Sequence, residues 1–231
     1  MEKLKRSKDI KVTNSLTPGG SARIANSFGL LSGKEYSCPG ATSICERVCY
    51  AGRLERMRPS VRNVMAHNWG LLKNATVDTM TSLINDMVED FKIDCEKFKA
   101  PKLFRIHWDG DFFSLGYAQA WINIIKRYPD IRFWTYTRNA AAASLLASNN
   151  LENLAFYYSA DDENLQDAMA LKEQGIALAM LKDTFEEAKA VLPRAAMCPE
   201  QRKQVPLAGA CVTCGICING KVDMTFSITK R

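Results

Sequence analysis

Apolar residues change their period along this chain, and the change divides it. Val61, Val64, Met65, Asn68 and Leu72 recur three or four residues apart, and so do Met80, Leu83, Ile84, Met87, Val88 and Phe91. That spacing lines one helix face. It predicts a first helix with Ser60 as its N-cap and a second from Thr76 to Phe98, closed by Pro101. Beyond Pro101, short apolar runs alternate with helical stretches. The predicted strands are Leu103–Trp108, Ile131–Tyr136, Leu154–Tyr158, Ile176–Leu181 and a short Ala195–Met197. The helices between them are Tyr117–Arg127, Ala140–Ala147, Asn164–Gln174 and Phe185–Val191. Phe28–Leu31 reads as a strand ahead of the first helix. Strands alternating with helices imply βα units and a parallel sheet. The expected class is α/β, a partial parallel (βα) barrel of about five or six strands with a Cys-rich C-terminal extension.

Three segments follow. Residues 1–27 read as a basic, irregular arm, with Thr17-Pro18-Gly19-Gly20-Ser21 as a turn or hinge. Residues 28–197 form the partial barrel, with a cysteine loop at 38–49 inside a Gly- and Arg-rich stretch that runs to 59. Residues 198–231 form the extension, loop-like to 220. After that, Val222, Met224, Phe226 and Ile228 alternate as in a half-buried strand.

Composition narrows the setting. The chain has 231 residues and no run of about 18 apolar residues, so no membrane-spanning helix and no membrane partner are expected. Its first residues are charged, with no apolar stretch behind them, unlike a secretory leader. A cytoplasmic location is expected, and in a reducing cytosol the eight cysteines point to metal rather than disulfides. The net charge of +6 gives a general affinity for anions, concentrated at residues 3–11 and 53–62. A solvated surface with a mild basic excess accounts for it equally well.

The cysteines fall into two groups. Cys38, Cys45 and Cys49 lie within twelve residues beside Pro, Gly, Ser and Thr, in loop rather than core company. Three thiolates can hold three corners of a four-iron cluster and leave one iron open. Zinc would want a fourth ligand. His67 is available, although a partly packed helix histidine is its plainer reading. Cys198, Cys211, Cys214 and Cys217 form the second group. Its C-x-x-C-x-x-C run suits a closed four-iron cluster or a structural zinc. Cys95 remains as a helix cysteine.

Ligands of parallel α/β folds gather at the C-terminal ends of strands. Polar residues stand at each predicted end: Asp109-Gly110-Asp111, Thr137-Arg138-Asn139, Ser159-Ala160-Asp161-Asp162 and Lys182-Asp183. Asp161-Asp162 and Asp183-Thr184 read as helix N-caps, Asp162 and Asp183 first among them. Asp109 and Asp111 flank a glycine several residues before the next helix, so capping does not explain both. They are the candidate catalytic carboxylates.

The arrangement Cys-x-x-x-Cys-Tyr-Ala at 45–51, Gly-Asp-Phe at 110–112, Tyr-Thr-Arg at 136–138, and Cys198-Pro199 followed by Cys-x-x-Cys-Gly-x-Cys at 211–217 resembles the "gene product 88" family of phage and mobile-element proteins. The likeness covers roughly residues 28–220. More distantly the chain resembles the radical S-adenosylmethionine (SAM) superfamily. That resemblance implies an open [4Fe-4S] cluster on Cys38, Cys45 and Cys49, with SAM on its free iron. It places Tyr50 near the adenine, Gly110 and Asp111 at the SAM amino group, and Thr137, Arg138 and Ser159 near its ribose and carboxylate. It makes the last four cysteines an auxiliary cluster. The spacing differs: C-x6-C-x3-C here, against the superfamily's C-x3-C-x2-C.

The leading expectation is therefore an iron–sulfur enzyme of radical SAM type with one or two clusters, an electron-donor partner and a nucleic acid or nucleotide substrate. A zinc- or cluster-stabilised nucleic-acid-binding module without turnover is a second reading. There Arg53, Arg56, Arg58 and Arg62 would meet phosphates. An Asp-dependent base-exchange or hydrolytic enzyme is a third.

Overall fold

Parallel pairing dominates the computed structural model, which describes residues 2–13 and 21–229. The strands are β1 (Ser27–Gly29), β2 (Leu103–Asp109), β3 (Arg132–Thr137), β4 (Leu154–Ala160), β5 (Leu178–Lys182), β6 (Ala196–Met197) and β7 (Met224–Ser227). They form one sheet in the order β1-β2-β3-β4-β5-β7-β6, and every neighbouring pair is parallel. The helices between strands are α1 (Ser43–Val48), α2 (Tyr50–Met57), α3 (Pro59–Leu72), α4 (Val77–Phe98), α5 (Leu115–Arg127), α6 (Ala140–Ser148), α7 (Leu165–Glu173) and α8 (Phe185–Val191). The tail adds α9 (Ala210–Cys214) and α10 (Ile216–Asn219).

Strand order follows chain order from β1 to β5, so each crossover of constant hand returns its helix to the same face. Alternation along the strands fills that face. Phe104, Ile106 and Phe133 meet α4 and α5 through Phe91, Trp121 and Ile125, and Tyr158, Ala160, Leu178 and Met180 meet Ala168 and Ala188 of α7 and α8. This is an open α/β sheet wound in one direction, compatible with a partial barrel. All polar strand ends consequently reach one rim.

The other sheet face is covered by both ends of the chain. Val12 packs there with Trp134, Ala155, Tyr157, Ala179, Met224, Cys217 and Ile218. The arm is therefore not loose: Ser7 and Ser27 exchange backbone hydrogen bonds in an antiparallel bridge, and Leu4 and Val12 are buried. The expected hinge falls at residues 17–20, outside the described residues, apart from Ser21.

Further expectations are corrected or narrowed. The sheet has seven strands rather than five or six, because the tail strand β7 enters between β5 and β6. Its alternation suggested one wet face. Instead Thr225 and Ser227 are buried, and their hydroxyls donate to the carbonyls of Ala196 and Asp183. The 38–59 stretch is helical over much of its length, since Thr42 caps α1 and the Cys49 sulfur caps α2, accepting from the N–H groups of Cys45 and Gly52. Pro59, not Ser60, starts the next helix, with its fixed φ at the first helical position and Arg58 as N-cap. Of the two expected N-cap pairs, Asp161 and Thr184 are the residues that cap, rather than Asp162 and Asp183. Both form capping boxes, with Asn164 and Glu187 reaching back.

Candidate functional site

The rim is built around Asp111, just beyond β2. One carboxylate oxygen accepts from the Phe112 N–H at 2.6 Å and the other from the Arg138 N–H at 2.7 Å. Its own N–H donates to Ser37 Oγ at 3.3 Å, and Ser37 donates to the Leu31 carbonyl. One buried carboxylate thus ties the end of β2 to the end of β3 and to the residue before Cys38. Burial raises its pKa, and the donors from Arg138, Thr137 and Phe112 pull it back, leaving about 6. Burial outweighs the donors, yet at that value Asp111 is still mostly ionised at neutral pH. Both oxygens are engaged with backbone, so its geometry is that of a positioning residue.

Gly110 permits this junction. Its φ is +81°, and a Cβ there would lie 2.5 Å from Ser37 Oγ and 2.9 Å from Leu30 Cβ. On the neighbouring strand, Arg138 donates to Asp161 at 2.6 Å, and Thr42 donates to that same carboxylate oxygen. Thr137 is buried and accepts from the Asn139 N–H. Ser159 lies near the end of β4, with its carbonyl accepting from the Asn164 side chain.

Asp109 has a different environment. It is buried, and its polar neighbours Glu55, Ser32 and the Gly110 N–H lie close without forming a well-aligned hydrogen bond to either carboxylate oxygen. Burial and then the neighbouring Glu55 carboxylate push its pKa far above the carboxylate range, so the Asp109–Glu55 pair keeps a proton at neutral pH. Glu55, on α2, accepts from both the N–H and the hydroxyl of Ser32. Three more buried atoms of β2 also lack partners: Arg105 Nε, His107 Nδ1 and Trp108 Nε1. An unpartnered buried polar group costs about 1–3 kcal/mol, so such a concentration is expected where a ligand is to be met. It coincides with a bulge. β1 advances from Ser27 to Gly29 while β2 advances from Arg105 to Asp109, and His107 takes φ +58°. Bulges re-aim side chains beside active sites. Sequence patterning missed this, because His107 and Trp108 read as ordinary strand residues.

The first cysteines surround this rim. Cys38, Cys45 and Cys49 are free, half-buried thiols. Burial raises the pKa of all three. Cys45 adds to the rise at Cys38, and Cys49 to that at Cys45, so the thiols lie within electrostatic reach of one another. The second group lies against the other sheet face. Burial is the main cause that lifts Cys211 to about 12 and Cys217 to about 11, and Cys198 and Cys214 add to the rise at Cys217. Cys198 continues β6, donating its N–H to the Thr225 carbonyl. Cys95 is buried within α4, and His67 meets the Lys3 carbonyl at 2.8 Å. Neither joins a cysteine group.

Tyr50 stands between the two groups. Its hydroxyl donates to the Trp108 carbonyl at 2.8 Å and accepts from Arg105 Nη2 at 3.3 Å. Arg105 also pairs with Asp9 and lies over the Tyr136 ring, and Tyr136 neighbours Cys217.

Among the described residues no three His, Cys, Asp or Glu side chains are gathered as a formed metal site. The donor chemistry nevertheless fits a metal. Each group brings thiols whose anionic forms burial and mutual repulsion disfavour, and a cation is what would stabilise them.

The fold and rim define an α/β protein with an open parallel sheet and two cysteine groups. The family model for Gene product 88 matches residues 2–220. Two phage relatives match across the full length of both chains: "Gene 88 protein" of Mycobacterium phage L5, 49% identical over 239 residues, and that of Mycobacterium phage D29, 48% identical over 240. The chain belongs to the Gene product 88 family. No solved structure matches it. No helix among the described residues is long and apolar enough to cross a membrane.

Proposed function

We propose that this chain is an iron–sulfur enzyme of radical SAM type that acts on a nucleic acid or nucleotide. The observation that carries the reading is the position of Cys38, Cys45 and Cys49. They follow the first strand of a sheet wound in one direction, at the rim where Asp111, Arg138 and Asp161 converge. A cluster on these three thiolates would keep one iron open for SAM and supply one-electron chemistry.

The chain's own residues would divide the remaining work. Tyr50, fixed at its hydroxyl, presents a ring flank beside Cys49. Asp111 and Gly110 hold the backbone of the rim, and Thr137 supports them. Arg138 and Ser159 supply polar contacts for an anionic cofactor group. Asp109, which shares a proton with Glu55 and makes no well-aligned hydrogen bond, would be the residue able to give a proton or a hydrogen bond to a bound ligand. Cys198, Cys211, Cys214 and Cys217 would hold an auxiliary cluster or, as the second choice, zinc. An electron donor would supply the reducing equivalent.

The test is anaerobic reconstitution with iron and sulfide, then addition of a strong reductant and SAM. Formation of 5′-deoxyadenosine supports the reading. Fully loaded protein that forms none removes SAM from it. A second reading, a metal-stabilised nucleic-acid-binding module without turnover, is favoured by the exposed arginines beside the first cysteines.

A further inference from the structure

We infer that the solvent face of α2, beginning at Tyr50, is a docking surface for single-stranded nucleic acid. The inference rests on the nucleic-acid substrate proposed above and gives that substrate a form and a place.

Tyr50, Arg53, Arg56 and Met57 recur at helical spacing on one side of α2, and all are exposed. Exposure reaches 55% for Tyr50 and 63% for Met57, unusual for such large apolar side chains. Arg47 on α1 and Arg58 and Arg62 around the start of α3 flank them, also exposed. The one acid between residues 47 and 62 is Glu55, buried and turned inward to Ser32. Among the described residues, the only ion pair of these five arginines is Arg62 with Glu55, at 3.7 Å. Five exposed arginines, four of them without an ion pair among the described residues, therefore surround two exposed apolar side chains. A merely solvated charged face gives no reason for those two to lie open within it.

Tyr50 selects the form of the partner. Its hydroxyl is held by Trp108 and Arg105, which fixes the ring before any ligand arrives. An immobilised ring with an open flank among arginines is a platform for a nucleobase, with phosphates on either side. A duplex keeps its base faces stacked, so only an unpaired strand can use it. Tyr50 directly follows Cys49, so a base on this ring lies next to the first cysteine group.

The experiment is fluorescence anisotropy of the full chain with a short labelled single-stranded oligonucleotide and with its blunt duplex. The single strand should bind tighter. Four phosphate contacts would give log affinity against log salt a slope of roughly −3, and R53Q with R56Q should flatten it by about 1.4. Tyr50→Ala should weaken binding about tenfold while Tyr50→Phe, which keeps the ring, keeps most of it. Arg127→Gln, on α5 away from the patch, should change little. Duplex binding as tight as single-strand binding, or binding indifferent to R53Q/R56Q in well-folded protein, overturns the inference. The same titration on wild-type protein with its iron content measured separates this from the iron–sulfur reading. The surface does not need the metal, so well-folded wild type should bind the strand even if it proves to hold no iron.

Discussion

Arg138 and Asp161 form an ion pair at 2.6 Å, and both side chains are almost wholly buried. The pair joins the ends of β3 and β4, and Thr42 brings the cysteine segment to the same carboxylate. Charge is tolerated here because Thr42 and the Glu163 N–H also donate to Asp161.

Removing one partner leaves the other charge buried without compensation. Arg138→Met should destabilise the protein by about 3–5 kcal/mol. Chemical denaturation of the metal-free protein measures it. A change below about 1 kcal/mol would mean that the pair is as dispensable as a surface one.

Gly110→Ala tests the junction of β2 with the cysteine segment. The new methyl would be forced into a positive φ and against Ser37 Oγ. Backbone strain alone costs about 1–3 kcal/mol, and the contact adds to it. Thermal melts should show a clear loss. Since Ser37 precedes Cys38, any metal held there should be lost with it.

Asp109 gives stability a particular pH dependence. Its folded pKa lies above its unfolded value, so the native state keeps a proton that the unfolded chain releases. Stability therefore falls as pH rises from the carboxylate range through neutrality, by about 1.4 kcal/mol per unit traversed below the folded pKa. Asp109→Asn removes this slope and should be more stable than the wild type at pH 8. His107 acts oppositely. Burial, then Arg105, lowers it to about 3, so its contribution is lost as pH falls below about 6.5. Urea unfolding across pH, compared between wild type and variant, isolates the Asp109 term.

Much of the scaffold was legible because its signals are local. Met80 to Phe91 repeat at helical spacing behind the Thr76 cap, and the helix begins at Val77. The βα alternation after Pro101 gave the strand ends, and the rim followed from them. Three features were not local. The tail strand's place between β5 and β6 depends on partners well back in the chain, Ala196 and Ala179 both pairing with Met224. The bulge at His107 comes from the mismatch with β1 and leaves no periodic trace. Glu55 reads as one charge in an Arg-rich run, and only the fold turns it inward beside Asp109. In each case tertiary pairing decided what pattern could not.

Cys95 provides an internal contrast among the cysteines. It packs inside α4 with the core, and its sulfur faces the Pro101 carbonyl at 3.7 Å. Cys95→Ala should lower the melting temperature by a few degrees through lost packing and leave metal content unchanged. Cys45→Ser and Cys214→Ser should each lower metal content instead. Elemental analysis of the three variants checks the partition.

Iron and acid-labile sulfide in protein purified without oxygen test the central claim most directly. Two four-iron clusters predict about eight iron and eight sulfide per chain, falling to about half in Cys45→Ser. Colourless protein carrying zinc and no sulfide would contradict the iron–sulfur reading.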